Sequence, residues 1–218
     1  MTDKNVNDRV DIKSFLYLRI CKEHHDRYEE SCKKFIEFQK HMDERRENGI
    51  VSIGLESVLI PDDIEAMEQS HAIVIVFAAM CLEAFIYDYA AQNFSGHFVR
   101  VYLDKLDLKS KWVIIPQLVT GKKFDTEGEA FQLLGKLVGY RNEIVHAKSK
   151  SWPSYDGLKK PIKGKACGED KLTMVKNSCK AIKELLRELD KLDDRMPKPW
   201  WWEVMRSGID GGNERRKS

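Results

Sequence analysis

The chain lacks an excess of charge of either sign. Its 37 lysines and arginines nearly balance its 35 aspartates and glutamates over 218 residues, so the formal net charge is only +2. A near-neutral chain has no global basic field of the kind that marks many nucleic-acid binders. Any surface that binds nucleic acid must therefore be local.

The sequence also lacks paired cysteines. Its five cysteines are an odd number, are widely spaced and include no C-x-x-C pair: Cys21, Cys32, Cys81, Cys167 and Cys179. This spacing indicates neither a disulfide framework nor a zinc site, and we expect no metal and no cofactor. Cys21 and Cys32 fall on the apolar stripe of one predicted helix, which favours a role as small buried hydrophobes.

No hydrophobic run is long enough to predict a membrane span. The most apolar run, residues 72–87, contains Glu83 and is shorter than the roughly 20 residues that a span needs. It is predicted to be a core helix, and no membrane partner is expected. The start, MTDKNVNDRV, lacks the basic, apolar and small-residue parts of a secretory signal, so we expect a cytoplasmic protein.

What the chain does contain is helical periodicity, because apolar residues recur every three or four positions along most of its length. The predicted helices span residues 11–46, 61–93, 97–120 (in one or two pieces that Pro116 kinks or ends), 127–148 and 171–195. The length favours a single domain. We therefore expect an all-α antiparallel bundle of four to five main helices over residues 1–195.

The C-terminal residues 196–218 are predicted to be a separate Trp-rich segment and a disordered tail. Trp200, Trp201 and Trp202 lie beside two prolines. They either fold back to cap the core or bind a partner protein.

One stretch of the fourth predicted helix, GYRNEIVHAKS at residues 139–149, places an arginine, an asparagine and a histidine close together. On a helical wheel, two stripes separate by about 100°. The first stripe contains Leu134, Val138, Arg141 and Val145. The second contains Gly135, Gly139, Asn142 and His146.

Arg141 in an apolar stripe needs an anionic partner, because arginine is rarely buried without one. The candidates are the carboxylate of Glu83, inside the apolar second helix, and the phosphate of a ligand. The two glycines indicate close approach of another backbone, from a second subunit or from another helix of the same chain, since each mid-helix glycine costs about 1 kcal/mol relative to alanine.

These residue types suit metal-free cleavage of RNA. A histidine can take a proton from a ribose 2'-hydroxyl or give one to a leaving 5'-oxygen, and an arginine can neutralise charge on the phosphorus centre through paired donors. Asn142 can orient His146 or donate to a phosphoryl oxygen. Two copies related by a two-fold axis would supply one histidine as base and one as acid.

The pattern Arg-Asn-x-x-x-His, formed by Arg141, Asn142 and His146 near the end of a late helix, resembles the signature of the HEPN superfamily, the higher eukaryote and prokaryote nucleotide-binding domains. The segment AAMCLEAFIYDY, residues 78–89, is similar to the second helix of several prokaryotic members. The resemblance covers about residues 62–192 and leaves out the long first helix and the Trp-rich segment.

The resemblance implies a helical homodimer whose two motifs face each other across a cleft. In many members of the superfamily this dimer is a metal-independent endoribonuclease of a toxin–antitoxin or phage-defence system, which leaves 2',3'-cyclic phosphate ends. It implies catalytic roles for Arg141, Asn142 and His146. It also implies RNA as substrate and an antitoxin or activator as a further protein partner.

Two further sets of residues are candidates for supporting roles. Glu83 and Tyr87 lie one turn apart on the second helix, where Glu83 is more readily a structural partner of Arg141 than a catalytic carboxylate. The loop after the motif interleaves lysines with aromatic residues, which suits phosphates and stacked bases. Its candidate RNA-binding residues are Lys148, Lys150, Trp152, Tyr155, Lys159 and Lys160, although a solvated loop has the same composition.

Two alternatives to the ribonuclease remain open on the sequence. The first is a non-catalytic helical dimer that binds a nucleotide or a partner protein and keeps the motif as a structural remnant. The second is a helical adaptor that docks partners through its long first helix or its tryptophans.

Overall fold

The computed structural model describes residues 12–48, 61–146 and 169–196, and every regular element within these ranges is helical. The elements are α1 (Ile12–Glu47), α2 (Pro61–Asn93), α3 (Gly96–Phe98) running into a π-helix (Val99–Leu103), α4 (Leu108–Thr120), α5 (Glu129–Val145) and α6 (Glu169–Leu192). The predicted all-α bundle of four to five main helices is confirmed.

The central element is α2, which packs against α1, α4, α5 and α6. Its sequence explains this position, because its buried residues include small ones that allow neighbouring helices to approach, such as Ala78, Ala79 and Ala90. One continuous hydrophobic core joins residues from every long helix. The site described below lies at the end of α5, one of the helices that pack on α2.

The same helix is apolar enough to pass a test for membrane helices. Residues Ile64–Asn93 are long enough to cross a membrane, and their most apolar stretch has a mean hydropathy of 1.9. That stretch is 56% buried inside the bundle. A helix buried against other helices of the same chain meets this criterion as readily as a membrane span does.

The amphipathic pattern of α1 is borne out by burial. Leu18, Cys21, Tyr28, Cys32 and Phe35 are all buried, while the lysines, arginines and glutamates between them are mostly exposed. Four cysteines are buried and not disulfide-bonded, and burial is what the sequence predicted for Cys21 and Cys32. The fifth, Cys167, lies outside the described residues.

Local signals set the ends of α4 and α5. Asp107 caps the start of α4 by accepting hydrogen bonds from the N–H groups of Lys109 and Ser110, and Gly121 ends that helix in the left-handed region at φ 74°. Pro116 lies inside α4, which continues to Thr120, so the proline does not end it.

Candidate functional site

The motif lies at the C-terminal end of α5. Arg141 and Asn142 belong to the last turns of the helix, and His146 is the first residue after it. The N–H of His146 still donates a 3.0 Å hydrogen bond to the carbonyl oxygen of Asn142, but its backbone has left the helical region (φ −108°, ψ 30°). The helix therefore ends at Val145, earlier than the predicted Lys148, and His146 closes it.

Burial falls along the motif toward the helix end. Leu134 and Leu137 are fully buried, Arg141 is half-buried, and Asn142 and His146 are exposed. The apolar stripe on which the sequence placed Arg141 therefore ends at that residue. Arg141 thus lies between the core and solvent, and the exposed Asn142 and His146 follow it at the helix end.

Glu83 is held by a different cation from the expected one. Its Oε1 accepts a 2.9 Å hydrogen bond from Nζ of Lys111, whose side chain is only 3% exposed. Asp104 lies 3.5 Å from the same ammonium, so two carboxylates compensate one buried charge. The structure thus corrects the expected partner of Glu83, which is Lys111 and not Arg141.

Lys111 is a buried charge that reading the sequence did not single out. It lies on the buried face of α4 with Leu108, Trp112 and Ile115. Lys111, like Arg141, is a basic residue in an apolar stripe. A helical wheel of α4 places it there from the sequence alone.

The consequence for the motif is that the guanidinium of Arg141 is not paired with Glu83. Within the part of the chain that the structure describes, Arg141 makes no hydrogen bond or ion pair through its side chain. A half-buried guanidinium with five donors and no carboxylate beside it is suited to an anion that arrives from solution. Tyr87, the other supporting candidate, packs half-buried against the hydrophobic core.

The glycine stripe beside the motif faces open space. A Cβ atom added at Gly135 or Gly139 would meet no other atom within 4 Å among the described residues. The close backbone approach expected from these glycines is thus not made by another described helix of the same chain. No described residue covers this face.

A second histidine, His71 of α2, lies near the motif helix and is buried. Burial lowers its pKa, and the nearby charge of Lys171 lowers it further, whereas Glu68 and Glu143 act in the opposite direction. Glu143 belongs to the motif stretch, so the end of α5 is electrostatically coupled to α2 and to the start of α6. Among the described residues, Nε2 of His71 has no hydrogen-bond partner.

The remaining candidates cannot be placed beside the motif. Outside the described residues lie Lys148, Lys150, Trp152, Tyr155, Lys159, Lys160 and Trp200 to Trp202. In the described ranges, no group of three or more His, Cys, Asp or Glu side chains is arranged to hold a metal ion.

No family model, no curated protein and no solved structure matches this chain. The resemblance to the HEPN superfamily therefore rests on the motif and its place in a helical bundle, and it stays a prediction.

Proposed function

We propose that the protein is a metal-independent endoribonuclease of the HEPN type that acts as a homodimer. The observation that carries the proposal is the state of Arg141. Because Lys111 already neutralises Glu83, the half-buried side chain of Arg141 is left without a carboxylate partner among the described residues, on the same helix end as the exposed Asn142 and His146.

In the proposed reaction, the ribose 2'-hydroxyl attacks the adjacent phosphorus and its proton passes to His146. The bond to the 5'-oxygen breaks, and that oxygen takes a proton from the second histidine, which leaves a 2',3'-cyclic phosphate and a 5'-hydroxyl. Arg141 neutralises the charge that develops on the phosphoryl oxygens, and Asn142 orients His146 or donates to one of these oxygens.

The position of the site makes the arginine essential. The C-terminal end of a helix carries a partial negative charge, equivalent to roughly half an elementary charge, which by itself repels phosphate. The site therefore needs a fixed cation to hold the scissile group. Arg141 is the cation of the motif.

The open glycine face supports the dimer. One chain supplies one His146, whereas general acid and general base catalysis in the same step requires two proton-transfer groups. A second copy that packs on Gly135 and Gly139 would bring its own His146 toward the first, because these glycines share the helix face of Asn142 and His146.

The proposal includes the biological setting that the resemblance implies. The enzyme would act in the cytoplasm as a toxin or a phage-defence effector, held in check or switched on by an antitoxin or activator protein. The lysines and aromatic residues of the loop after the motif would bind the RNA.

The test is cleavage of end-labelled tRNA and unstructured RNA by the purified chain in EDTA, with analysis of the product ends. We expect the parent to leave cyclic phosphates and His146→Ala and Arg141→Ala to lose cleavage. His97→Ala and Arg100→Ala are matched controls, because both residues are exposed and belong to other elements than the motif, His97 to α3 and Arg100 to the π-helix. Loss of cleavage in the controls, or its retention in His146→Ala, would contradict the assigned roles.

Arg141→Lys refines the same test. Lysine keeps the positive charge but loses the planar pair of donors. We expect cleavage to fall by about tenfold to a hundredfold if the guanidinium forms two hydrogen bonds to the phosphate. Full activity in Arg141→Lys would mean that charge alone is needed.

One observation favours the non-catalytic alternative. In the described part of the chain no side chain holds the imidazole of His146, whereas a catalytic histidine is ordinarily oriented by a neighbour. A dimer that binds nucleotides without cleaving RNA would show a higher Tm with added nucleotide and no cyclic-phosphate products. That combination would replace the enzyme by the binding module.

A further inference from the structure

Two buried thiols from opposite ends of the sequence lie next to each other. Sγ of Cys21 on α1 is 4.0 Å from Sγ of Cys179 on α6, although 158 positions separate the residues in the chain. Cys21 is fully buried, and Cys179 is 9% exposed. Neither residue is part of a disulfide in the structure.

Cys179 also lines a cavity between α1 and α6, with a volume of about 370 Å³. Cys21 does not line it. The other lining residues are His25, Glu29, Lys176, Lys180, Lys183 and Glu184. A small reagent in this cavity can thus reach Cys179, and the buried Cys21 lies 4.0 Å behind it.

The lining of the cavity is charged and nearly balanced. Three lysines stand against two glutamates, and Lys180 is also paired with Glu129 outside the cavity at 2.5 Å. Oxidised glutathione is a small disulfide that exchanges with thiols it can reach.

We propose that Cys21 and Cys179 form a reversible disulfide that is made by exchange with a small disulfide such as oxidised glutathione. This inference does not depend on the proposed RNA cleavage. It assigns a modification site that ties α1 to α6.

The exchange proceeds in two steps that balance. The thiolate of Cys179 attacks one sulfur of oxidised glutathione, which forms a mixed disulfide and releases one glutathione thiolate. Cys21 then loses its proton to that thiolate and attacks the Cys179 sulfur, which releases the second glutathione as a thiolate that takes up the proton Cys179 had lost to solvent. Two protein thiols are oxidised to one disulfide, and one oxidised glutathione is reduced to two molecules of glutathione.

The geometry requires a small movement. A disulfide has an S–S distance of about 2.05 Å, so the two sulfur atoms, now 4.0 Å apart, must approach by about 2 Å. Sγ of Cys21 now donates a 3.6 Å hydrogen bond to the carbonyl oxygen of Val74. Disulfide formation exchanges that weak bond for a covalent link.

The link would have a mechanical effect on the bundle. In the described ranges, α1 packs chiefly along α2 and meets α6 over a short stretch only. A disulfide between Cys21 and Cys179 would close a loop of 158 residues. Such a link restricts the unfolded chain more than a short loop does, and we expect the Tm to rise by about 5 to 15 °C.

The experiment treats the full folded chain with oxidised glutathione, blocks the remaining thiols with an alkylating reagent under denaturing conditions, and maps the peptides by mass spectrometry. The expected result is a linked peptide that contains Cys21 and Cys179, together with a rise in Tm that dithiothreitol reverses. Cys32→Ser, Cys81→Ser and Cys167→Ser should keep the link, and Cys179→Ser should abolish it.

Any of three other results would overturn the proposal. It fails if Cys179 stops as a mixed disulfide with glutathione, if Cys179 links to Cys167, or if Cys21 and Cys179 remain thiols while the chain stays folded. Peptide mapping of the parent protein alone distinguishes these results. The outcome therefore does not depend on whether a variant at the buried Cys21 folds.

Discussion

The ammonium of Lys111 donates a 2.9 Å hydrogen bond to the carboxylate of Glu83 and so ties α4 to α2. The two ends differ in environment, because the Lys111 side chain is 3% exposed and the Glu83 side chain is 45% exposed. A buried cation depends on its anion more than a half-exposed anion depends on its cation. The pair thus makes Glu83 a structural residue and leaves Arg141 available for a ligand.

The first prediction follows from that asymmetry. Glu83→Gln removes the nearer of two anions from a buried ammonium, and we expect the free energy of unfolding to fall by about 1 to 2 kcal/mol. Lys111→Met should cost less, because both carboxylates can be solvated once the lysine is gone. Urea unfolding at neutral pH measures both changes.

Arg141→Gln is the matched control for stability. Because its guanidinium has no ionic partner among the described residues, we expect a change within about 0.5 kcal/mol. A loss for Arg141→Gln as large as that for Glu83→Gln would show that Arg141 has a structural role after all.

The second prediction concerns the hydrogen bond between α2 and the end of α6. The hydroxyl of Tyr89 donates to Oδ2 of Asp193 at 2.7 Å, and both residues are buried. Tyr89→Phe should lower the free energy of unfolding by about 1 to 2 kcal/mol, because Asp193 keeps the backbone N–H of Arg195 as a second donor.

The effect of Tyr89→Phe on the free energy of unfolding should also depend on pH. Burial, then the hydrogen bond to Asp193 and its charge, raise the pKa of Tyr89 above its ordinary value of 10.0. As the pH rises above 10, the unfolded chain loses this proton and the folded chain retains it, so the parent loses stability. Between pH 8 and pH 10.5, the free energy of unfolding should fall less for Tyr89→Phe than for the parent.

The third prediction concerns acid stability. Burial lowers the pKa of His71 from 6.5, with Lys171 adding to the effect and Glu68 and Glu143 opposing it. When the pH falls below 6.5, the unfolded chain binds a proton that the folded chain resists, so stability is lost toward lower pH. His71→Phe should flatten this loss in urea unfolding between pH 7.5 and pH 5.5.

Some dependence of stability on pH should remain in the His71→Phe variant. Burial, followed by the charge of Arg27, also lowers the pKa of His24, whose Nδ1 lies 3.2 Å from the Ser70 hydroxyl. A parent and a His71→Phe protein with identical slopes would mean that His71 is protonated equally in both states.

The fourth prediction uses the open glycine face. A methyl group at Gly135 meets nothing within 4 Å among the described residues, so Gly135→Ala should raise the free energy of unfolding of the isolated chain by about 0.5 to 1 kcal/mol. If a second copy packs on this face, the same methyl group should weaken the dimer. Sedimentation at several concentrations separates the two effects.

Gly128→Ala provides the contrast. Its Cβ would lie 2.5 Å from Oδ2 of Asp125, whose other oxygen accepts hydrogen bonds from the N–H groups of Glu127 and Gly128. Moving that carboxylate would break the turn that starts α5, so Gly128→Ala should destabilise the protein. Equal effects at Gly128 and Gly135 would contradict the described packing.

Helix ends were readable from the sequence because their causes are local. Pro61 opens α2 and Ser95 with Gly96 follows its end, as the residue types predict, and α2 spans Pro61–Asn93. The buried stripe of α6 was also predictable from its period, since Val175, Cys179 and Leu186 are all buried. The π-helix at Val99–Leu103 has no such local signature and was not predicted.

The partners of charged residues could not be predicted from the sequence. The sequence shows that Glu83 needs a cation, but the choice between Lys111 and Arg141 depends on which helix packs beside α2 at that level. The openness of the face at Gly135 and Gly139 is also a tertiary property. The position of the motif at a helix end was predictable, whereas the absence of an ionic partner for Arg141 among the described residues was not.

The central place of α2 has a consequence for how the bundle opens. Because α1, α4, α5 and α6 all pack on α2, the amide protons around Val74 and Ile86 can reach solvent only when the whole core separates, whereas the end of α5 can fray alone. Hydrogen exchange should thus be slowest in the middle of α2 and fast at His146. The motif residues thus lie at a helix end that can open while the middle of α2 stays protected.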